Sequence, residues 1–157
     1  LRDLSRIVEK TFVPFLFGMT YFICQARKGG DVMESRTDND RKRKESGRRA
    51  EDAVLSLFLA KGYSLLARNY SVHNAGELDL ILSREMCIYI VEVKCRSERN
   101  SFGGPAAAIT GQKKLKMIRT AKVFLQRHEW QQYDVRFLAG CVTHREGVIV
   151  GIEILPM

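Results

Sequence analysis

The sequence is short of everything that a structural zinc site needs. Its four cysteines, Cys24, Cys87, Cys95 and Cys141, are scattered, and His73, His128 and His144 stand apart from them and from each other. No zinc-finger or zinc-ribbon spacing exists. The same scatter argues against a disulfide framework. With Cys87 and Cys95 within or beside an apolar strand pattern, the thiols read as small reduced core residues of a cytoplasmic protein. Long apolar runs are missing too. FVPFLFGMTYFIC, from Phe12 to Cys24, is the one segment that suggests a membrane. It falls short of the about 20 residues a spanning helix requires, and Pro14 and Gly18 weaken it further. Basic residues precede it, but Asp3 and Glu9 sit among them and no small-residue cleavage site follows, which argues against a secretory signal. Stable membrane insertion is therefore not expected. There are no internal repeats, and no readout helix or aromatic base-stacking motif stands out; Tyr70, Phe102 and Trp130 read as packing residues.

Acid is the other deficit. Eighteen acidic residues face twenty-six basic ones, giving a net charge of +8 and a sequence pI near 9.5. Such a balance suits a polyanionic partner, either nucleic acid or an anionic membrane surface. At 157 residues and 45% hydrophobic composition, the chain can bury one sizeable core, so one domain plus a tail is expected. Residues 1–43 read as an N-terminal extension and residues 44–157 as the folded domain. Met33 offers an internal start, in which case residues 1–32 would not belong to the native protein. Within the extension and its junction, ESRTDNDRKRKESGRR from Glu34 to Arg49 is charged and aperiodic, and reads as a flexible arm, either solvated or touching phosphates.

From there the pattern is regular. A helix is expected from about Gly47 to Lys61, with Val54, Leu55, Phe58 and Leu59 as its apolar face, Glu51 on that same face, and Gly62 at its end. Strands follow at Tyr63 to Val72, Glu77 to Leu82 and Cys87 to Arg96, the last two forming an antiparallel hairpin across SREM. The Gly- and Pro-rich SFGGPAA loop leads to a second helix from about Thr110 to Arg127. Thr110 is its cap, and Leu115, Ile118, Ala121 and Leu125 are its buried stripe. Strands near Tyr133 to Val142 and Val148 to Leu155 flank an HREG turn. The order is αβββαββ, an α/β domain.

The stretch IYIVEVKCR, Ile88 to Arg96, carries charge where a buried strand should be apolar. Alternation puts Glu77, Asp79 and Ile81 on one face, and Ile88, Ile90, Glu92, Lys94 and Arg96 on one face of the next strand. If Leu82 pairs with Cys87, Asp79 falls opposite Ile90, diagonal to Glu92, so Asp79, Glu92 and Lys94 converge on one side. Two carboxylates about 5 Å apart repel by roughly 3 kcal/mol at an effective dielectric of 20. Glu51, Asp79 and Glu92, with Glu77 nearby, outnumber Lys94. A hard divalent cation would balance them, since magnesium takes one or two carboxylates, waters and a phosphate. Lys94 would then steady a nucleophilic water or the charge developing on phosphate. The alternative is a surface ion pair between Glu92 and Lys94, with Asp79 solvated at a strand end.

A helix bearing a glutamate, an acidic residue on one strand and E-x-K on the next together resemble the PD-(D/E)xK nuclease superfamily. More closely, GRRAEDAVLSLFLAKGYSLLARNYSVHNAGELDLIL, IYIVEVKCRS and SFGGPAAAITGQKKLKMIRTAKVFL, in that order, are similar to the bacterial YraN family. The proline of the superfamily's named motif is missing before Asp79. The resemblance implies a mixed β-sheet flanked by helices, restriction-endonuclease-like, with Asp79 and Glu92 as metal ligands, Glu51 as the helix glutamate completing the metal shell, and Lys94 as the catalytic lysine. It places Gln112 near the start of the second helix, where related nucleases often carry a polar active-site residue. The activity implied is that of a magnesium- or manganese-dependent endonuclease on nucleic acid, expected to be DNA and branched, as for the superfamily's Holliday-junction resolvases, which act as homodimers. Arg96, Arg99, Lys113, Lys114 and Lys116 would contact backbone phosphates, or form a solvated face. Two other classes stand beside this one. One is a non-catalytic nucleic-acid-binding module of the same fold. The other is a membrane-surface protein held by Phe12 to Cys24 and the basic run.

Overall fold

The computed structural model describes residues 36–98 and 110–157. The Phe12 to Cys24 segment, Met33 and the SFGGPAA loop with Arg99 and Phe102 lie outside the described residues. The elements run α1 (Arg36–Ala60), β1 (Ser64–Val72), β2 (Gly76–Arg84), β3 (Cys87–Ser97), α2 (Gly111–Arg127), β4 (Asp134–Arg145) and β5 (Val148–Pro156). The expected αβββαββ order is present. The strands form one mixed sheet in the order β1-β2-β3-β4-β5, antiparallel throughout except for the parallel β3–β4 pair. A parallel pair needs a long crossover, and α2 lies in it. The architecture is compatible with the restriction-endonuclease-like fold. Among the described residues no helix is long and apolar enough to cross a membrane.

Each face of the sheet is covered by one helix, and strand alternation decides which residues it meets. On one side Ala50, Val54 and Phe58 of α1, spaced four apart, pack on Leu80, Leu82, Tyr89, Val91, Leu138 and Val142. On the other, Met117, Ala121, Phe124 and Leu125 of α2 pack on Ile81, Ile88, Ile90 and Val135. Tyr70 and Trp130 stack edge-on against Phe124, as packing residues do.

The structure departs from the sequence reading in four places. First, α1 begins at Arg36 rather than near Gly47 and runs unbroken through the charged stretch expected to be flexible. Arg, Lys and Glu are good helix formers, and the Arg49–Glu45 ion pair, one turn apart at 2.6 Å, supports the coil. Second, Leu59 and Leu115 are 47% and 56% exposed. The buried stripe of α2 is Met117, Thr120, Ala121, Phe124 and Leu125. The threonine disguised it: buried Thr120 donates its hydroxyl to the Lys116 carbonyl at 3.0 Å and so enters the core satisfied. Third, the β2–β3 turn is tighter than SREM. Arg84 pairs with Cys87, and only Glu85 and Met86 turn the chain, Glu85 at φ 56°. No glycine or asparagine announced that left-handed residue. The register therefore moves by two residues from the expected Leu82–Cys87 pair, and an even shift leaves each paired side chain on its expected face. Fourth, Leu78 packs with the α2 cluster although Leu80 packs with α1's. Alternation fails there because β2 is leaving β3.

Gly140 sets how closely α1 approaches the sheet. A Cβ there would lie 3.2 Å from both methyls of Val54 and 3.5 Å from a Val91 methyl. Gly140→Ala is expected to destabilise the fold by about 1–3 kcal/mol through overpacking. A urea titration should show a lower midpoint with an unchanged slope.

Candidate active site

The site is made where the sheet forks. β2 keeps pairing with β1 through Tyr70–Leu78, Ser71–Glu77 and Val72–Gly76, but its last pair with β3 is Leu80–Val91. β3 meanwhile stays paired with β4 as far as Ser97–His144. Beyond Val91 the edge of β3 toward β2 has no strand partner among the described residues. Asp79 fills the gap: its Oδ2 accepts the Val93 backbone N–H at 2.7 Å. Gly76, at φ 143°, permits the divergence. A Cβ at that position would lie 3.3 Å from both Lys116 Cβ and Thr120 Oγ1, so only a glycine lets the start of β2 run this close under α2.

Glu92 lies in the fork on the α2 side, in the row of Ile88 and Ile90, and is 1% exposed. Two ammonium groups meet it. Lys94 Nζ is 2.6 Å from Oε1, and Lys113 Nζ is 3.1 Å from Oε2. The second contact is an ion pair without hydrogen-bond alignment, so buried Oε2 accepts no hydrogen bond among the described residues. A carboxylate this enclosed is not the surface pair that the alternative reading described, because its charge has to be matched inside the protein. Asp79 feels the same enclosure. Burial first, and then the neighbouring Glu92 charge, push its carboxyl up to about 6, while the Val93 N–H and Lys113 oppose the rise.

Glu51 takes a different position. Its Oε2 accepts from Arg68 Nε at 3.2 Å and Nη2 at 3.0 Å, and Arg68 Nη1 also binds Asp52 at 2.6 Å. Glu51 is near enough for its charge to raise the Asp79 carboxyl, yet its own oxygen is held by the guanidinium. Among the described residues no group of three or more His, Cys, Asp and Glu side chains is arranged to hold a metal ion. The side chains brought together are Asp79, Glu92, Lys94 and Lys113. Gln112 and Glu77 are exposed, Arg96 and Lys114 are half-buried, Lys116 is exposed, and Arg99 lies outside the described residues.

Two contributors escaped the sequence reading. Lys113 was expected to contact phosphate or to lie on a solvated face, whereas its ammonium pairs with Glu92. The available signal was its place in the first turn of α2, three residues after the cap Thr110, whose hydroxyl accepts the Lys113 N–H. A lysine there opposes the helix dipole and needs a nearby anion. Arg68 gave no signal, because the irregularity between Leu65 and Ala67 in β1 breaks the alternation that would have revealed its face.

The raised Asp79 carboxyl makes a pH prediction. Between its ordinary value of 3.8 and about 6, the folded state binds more protons at Asp79 than the unfolded state does. This contribution to stability is complete below the ordinary value and is lost as pH rises through about 6. Asp79→Asn keeps an acceptor for Val93 and removes the titration. The stability of wild type minus that of Asp79→Asn should therefore increase on acidification from pH 7 to 4, with a slope of at most about 1 kcal/mol per pH unit. Denaturant titrations across that range check it; a flat difference refutes it.

The sequence profile described as Uncharacterised protein family UPF0102 matches residues 50–139, a span holding Glu51, Asp79, Glu92, Lys94 and Lys113. A UPF0102 protein of Prosthecochloris aestuarii is 40% identical over 91 residues, which is 58% of this chain and 70% of the relative. One from Clostridium perfringens is 36% identical over 87 residues, 55% of this chain and 70% of the relative. One from Petrotoga mobilis is 32% identical over 103 residues, 66% of this chain and 89% of the relative. With more than half of its length matched by the profile and relatives covered over most of theirs, the chain belongs to the UPF0102 family, the YraN-like group that its motifs resemble.

Proposed function

We propose that the protein is a metal-dependent endonuclease acting on nucleic acid, with Asp79 and Glu92 holding a magnesium or manganese ion and Lys94 as the catalytic lysine. The observation that carries this reading is a glutamate at 1% exposure, set beside an aspartate at a fork in the sheet, with one buried oxygen that accepts no hydrogen bond. The donor set fits such an ion. Magnesium is held by one or two carboxylates and completes its shell with waters and substrate phosphate, so a pair of carboxylates suffices where a cage of three is missing. The chemistry a divalent ion supplies there is Lewis-acid polarisation of a phosphoryl oxygen.

The chain's own residues do the rest. The Val93 N–H fixes the Asp79 carboxylate, and β3 delivers Glu92 and Lys94 to the same face. Lys94 Nζ, within 2.6 Å of Glu92, is placed to orient an attacking water and to offset charge developing on the phosphate. Glu51 tunes the Asp79 charge through space and, paired with Arg68, stays outside the ligand set. Arg96 and Lys114 supply phosphate contacts from β3 and α2. The sequence resemblance adds branched DNA as the substrate and a homodimer as the acting form. A second reading, a nucleic-acid-binding module without turnover, is favoured by Lys113. Its ammonium already offsets the Glu92 charge, so the carboxylate has a counter-ion of the protein's own.

Incubating the pure protein with linear, nicked, single-stranded and four-way-junction DNA, with and without magnesium or manganese, tests both readings. Cleavage is expected only with metal and is expected to fall by about 100-fold or more in Glu92→Gln and in Lys94→Met, provided each variant melts as a folded protein. Cleavage that persists in those variants belongs to a contaminant. Binding without cleavage of any substrate selects the module.

A further inference from the structure

We infer that the N-terminal half of α1 is a rigid basic arm that grips the phosphate backbone of duplex nucleic acid beside the candidate site. The inference rests on the nucleic-acid reading of the preceding subsection and deepens it. Four observations carry it.

The first is where the arm lies. Ser46 Oγ is 3.3 Å from Cys95 Sγ, so α1 crosses the C-terminal part of β3 at that point. Cys95 faces α1, on the side of β3 opposite Lys94 and Arg96, two residues before the strand ends at Ser97. The helix therefore projects past the end of the strand that carries the proposed catalytic lysine.

The second is which side of the arm turns toward the sheet. The core stripe of α1, Phe58, Val54 and Ala50, continues by the same four-residue step through Ser46 to Lys42, with Arg43 three residues before Ser46 beside it. Ala50 is buried, Ser46 half-buried, and Lys42 and Arg43 are exposed. The stripe changes from apolar to basic where the sheet ends and no core remains beneath it.

The third is composition. Residues 39–49 contain Arg41, Lys42, Arg43, Lys44, Arg48 and Arg49 against Asp40 and Glu45, and no apolar side chain at all. A helix that lies on a membrane needs an apolar face to insert, and this segment has none. Charge complementarity alone remains, which a phosphate backbone and an anionic lipid surface both offer, and the nucleic-acid reading of the site selects the first.

The fourth is stiffness. α1 is one continuous helix of 25 residues. At about 1.5 Å per residue, the arm holds its charges at a fixed offset of about 10 Å or more from the core, suited to the fixed phosphate positions of a duplex rather than to a single strand that must be followed as it bends.

The test compares three full-length proteins: wild type, the arm pair Lys42→Gln/Arg43→Gln, and the pair Arg119→Gln/Lys122→Gln, which loses the same charge from the outer face of α2. Affinity for a 30-base-pair DNA duplex and for a single strand of matched sequence is measured from 50 to 300 mM KCl without metal. The arm pair is expected to weaken duplex binding about 10-fold at 150 mM salt and to lower the salt slope by about 2. The α2 pair should lose no more than about a fifth as much. Wild type that fails to bind either DNA at 50 mM salt sinks the nucleic-acid reading, and the arm with it. Wild type that binds while the arm pair binds within twofold at the same slope overturns the arm alone. The arm is equally overturned by a larger loss on single strands than on duplex, by equal losses in the two pairs, or by unchanged DNA binding accompanied by lost binding to phosphatidylserine-containing vesicles. Circular dichroism of the arm pair confirms that α1 is intact.

Discussion

A carboxylate with almost none of its surface open to water is costly by several kcal/mol unless its charge is met inside the protein. Glu92 is such a group, and the ammonium groups of Lys94 and Lys113 meet it from two directions. Much of the surrounding architecture follows from this constraint. Lys94 needs only strand alternation to reach Glu92, being two residues along the same face of β3. Lys113 needs the first turn of α2 to be seated over the fork, which fixes where the helix begins and why a threonine caps it. The aspartate across the gap adds a second negative charge, and its own burial first, then the Glu92 charge, raises its carboxyl toward neutrality.

The fork itself comes from backbone economy. β3 must stay in the sheet to pair with β4, while β2 must leave to follow β1 beneath α2. A strand edge exposed by such a departure has unpaired N–H groups. The Asp79 side chain satisfies one of them and is thereby held at a defined point. One hydrogen bond thus repairs the sheet and positions a carboxylate. Two glycines set the clearances on the two faces: Gly76 lets β2 slide under α2, and Gly140 lets α1 settle onto β4.

Much of this was legible in the sequence, and the remainder was hidden for identifiable reasons. Parity carried the site: because side chains alternate with a period of two, a register wrong by two residues still put Asp79, Glu92 and Lys94 on one face. The true register is better than the expected one, since it brings Asp79 level with Glu92 rather than diagonal to it. The stripe of α1 was readable where it touches the core, but its charged extension was not, because helix formation there follows from composition and i,i+4 pairing rather than from apolar periodicity. Thr120 concealed the stripe of α2, since a hydroxyl that bonds its own helix looks polar in sequence and behaves as apolar in the core. The Glu51–Arg68 pair depends on a bulge in β1, and an irregularity of that kind leaves no trace in a hydrophobic pattern.

The parallel pairing of β3 with β4 bears on the order in which the chain assembles. β1, β2 and β3 form a local meander, so bringing Asp79 to Glu92 and Lys94 closes only short loops. Lys113 arrives only when α2 docks and the chain returns as β4, a non-local step with a larger closure entropy. Without α2 the two carboxylates are open to water, which screens them; its docking removes that water and brings Lys113 to Glu92 together. The element that closes the cleft to water is thereby the one that carries its second cation.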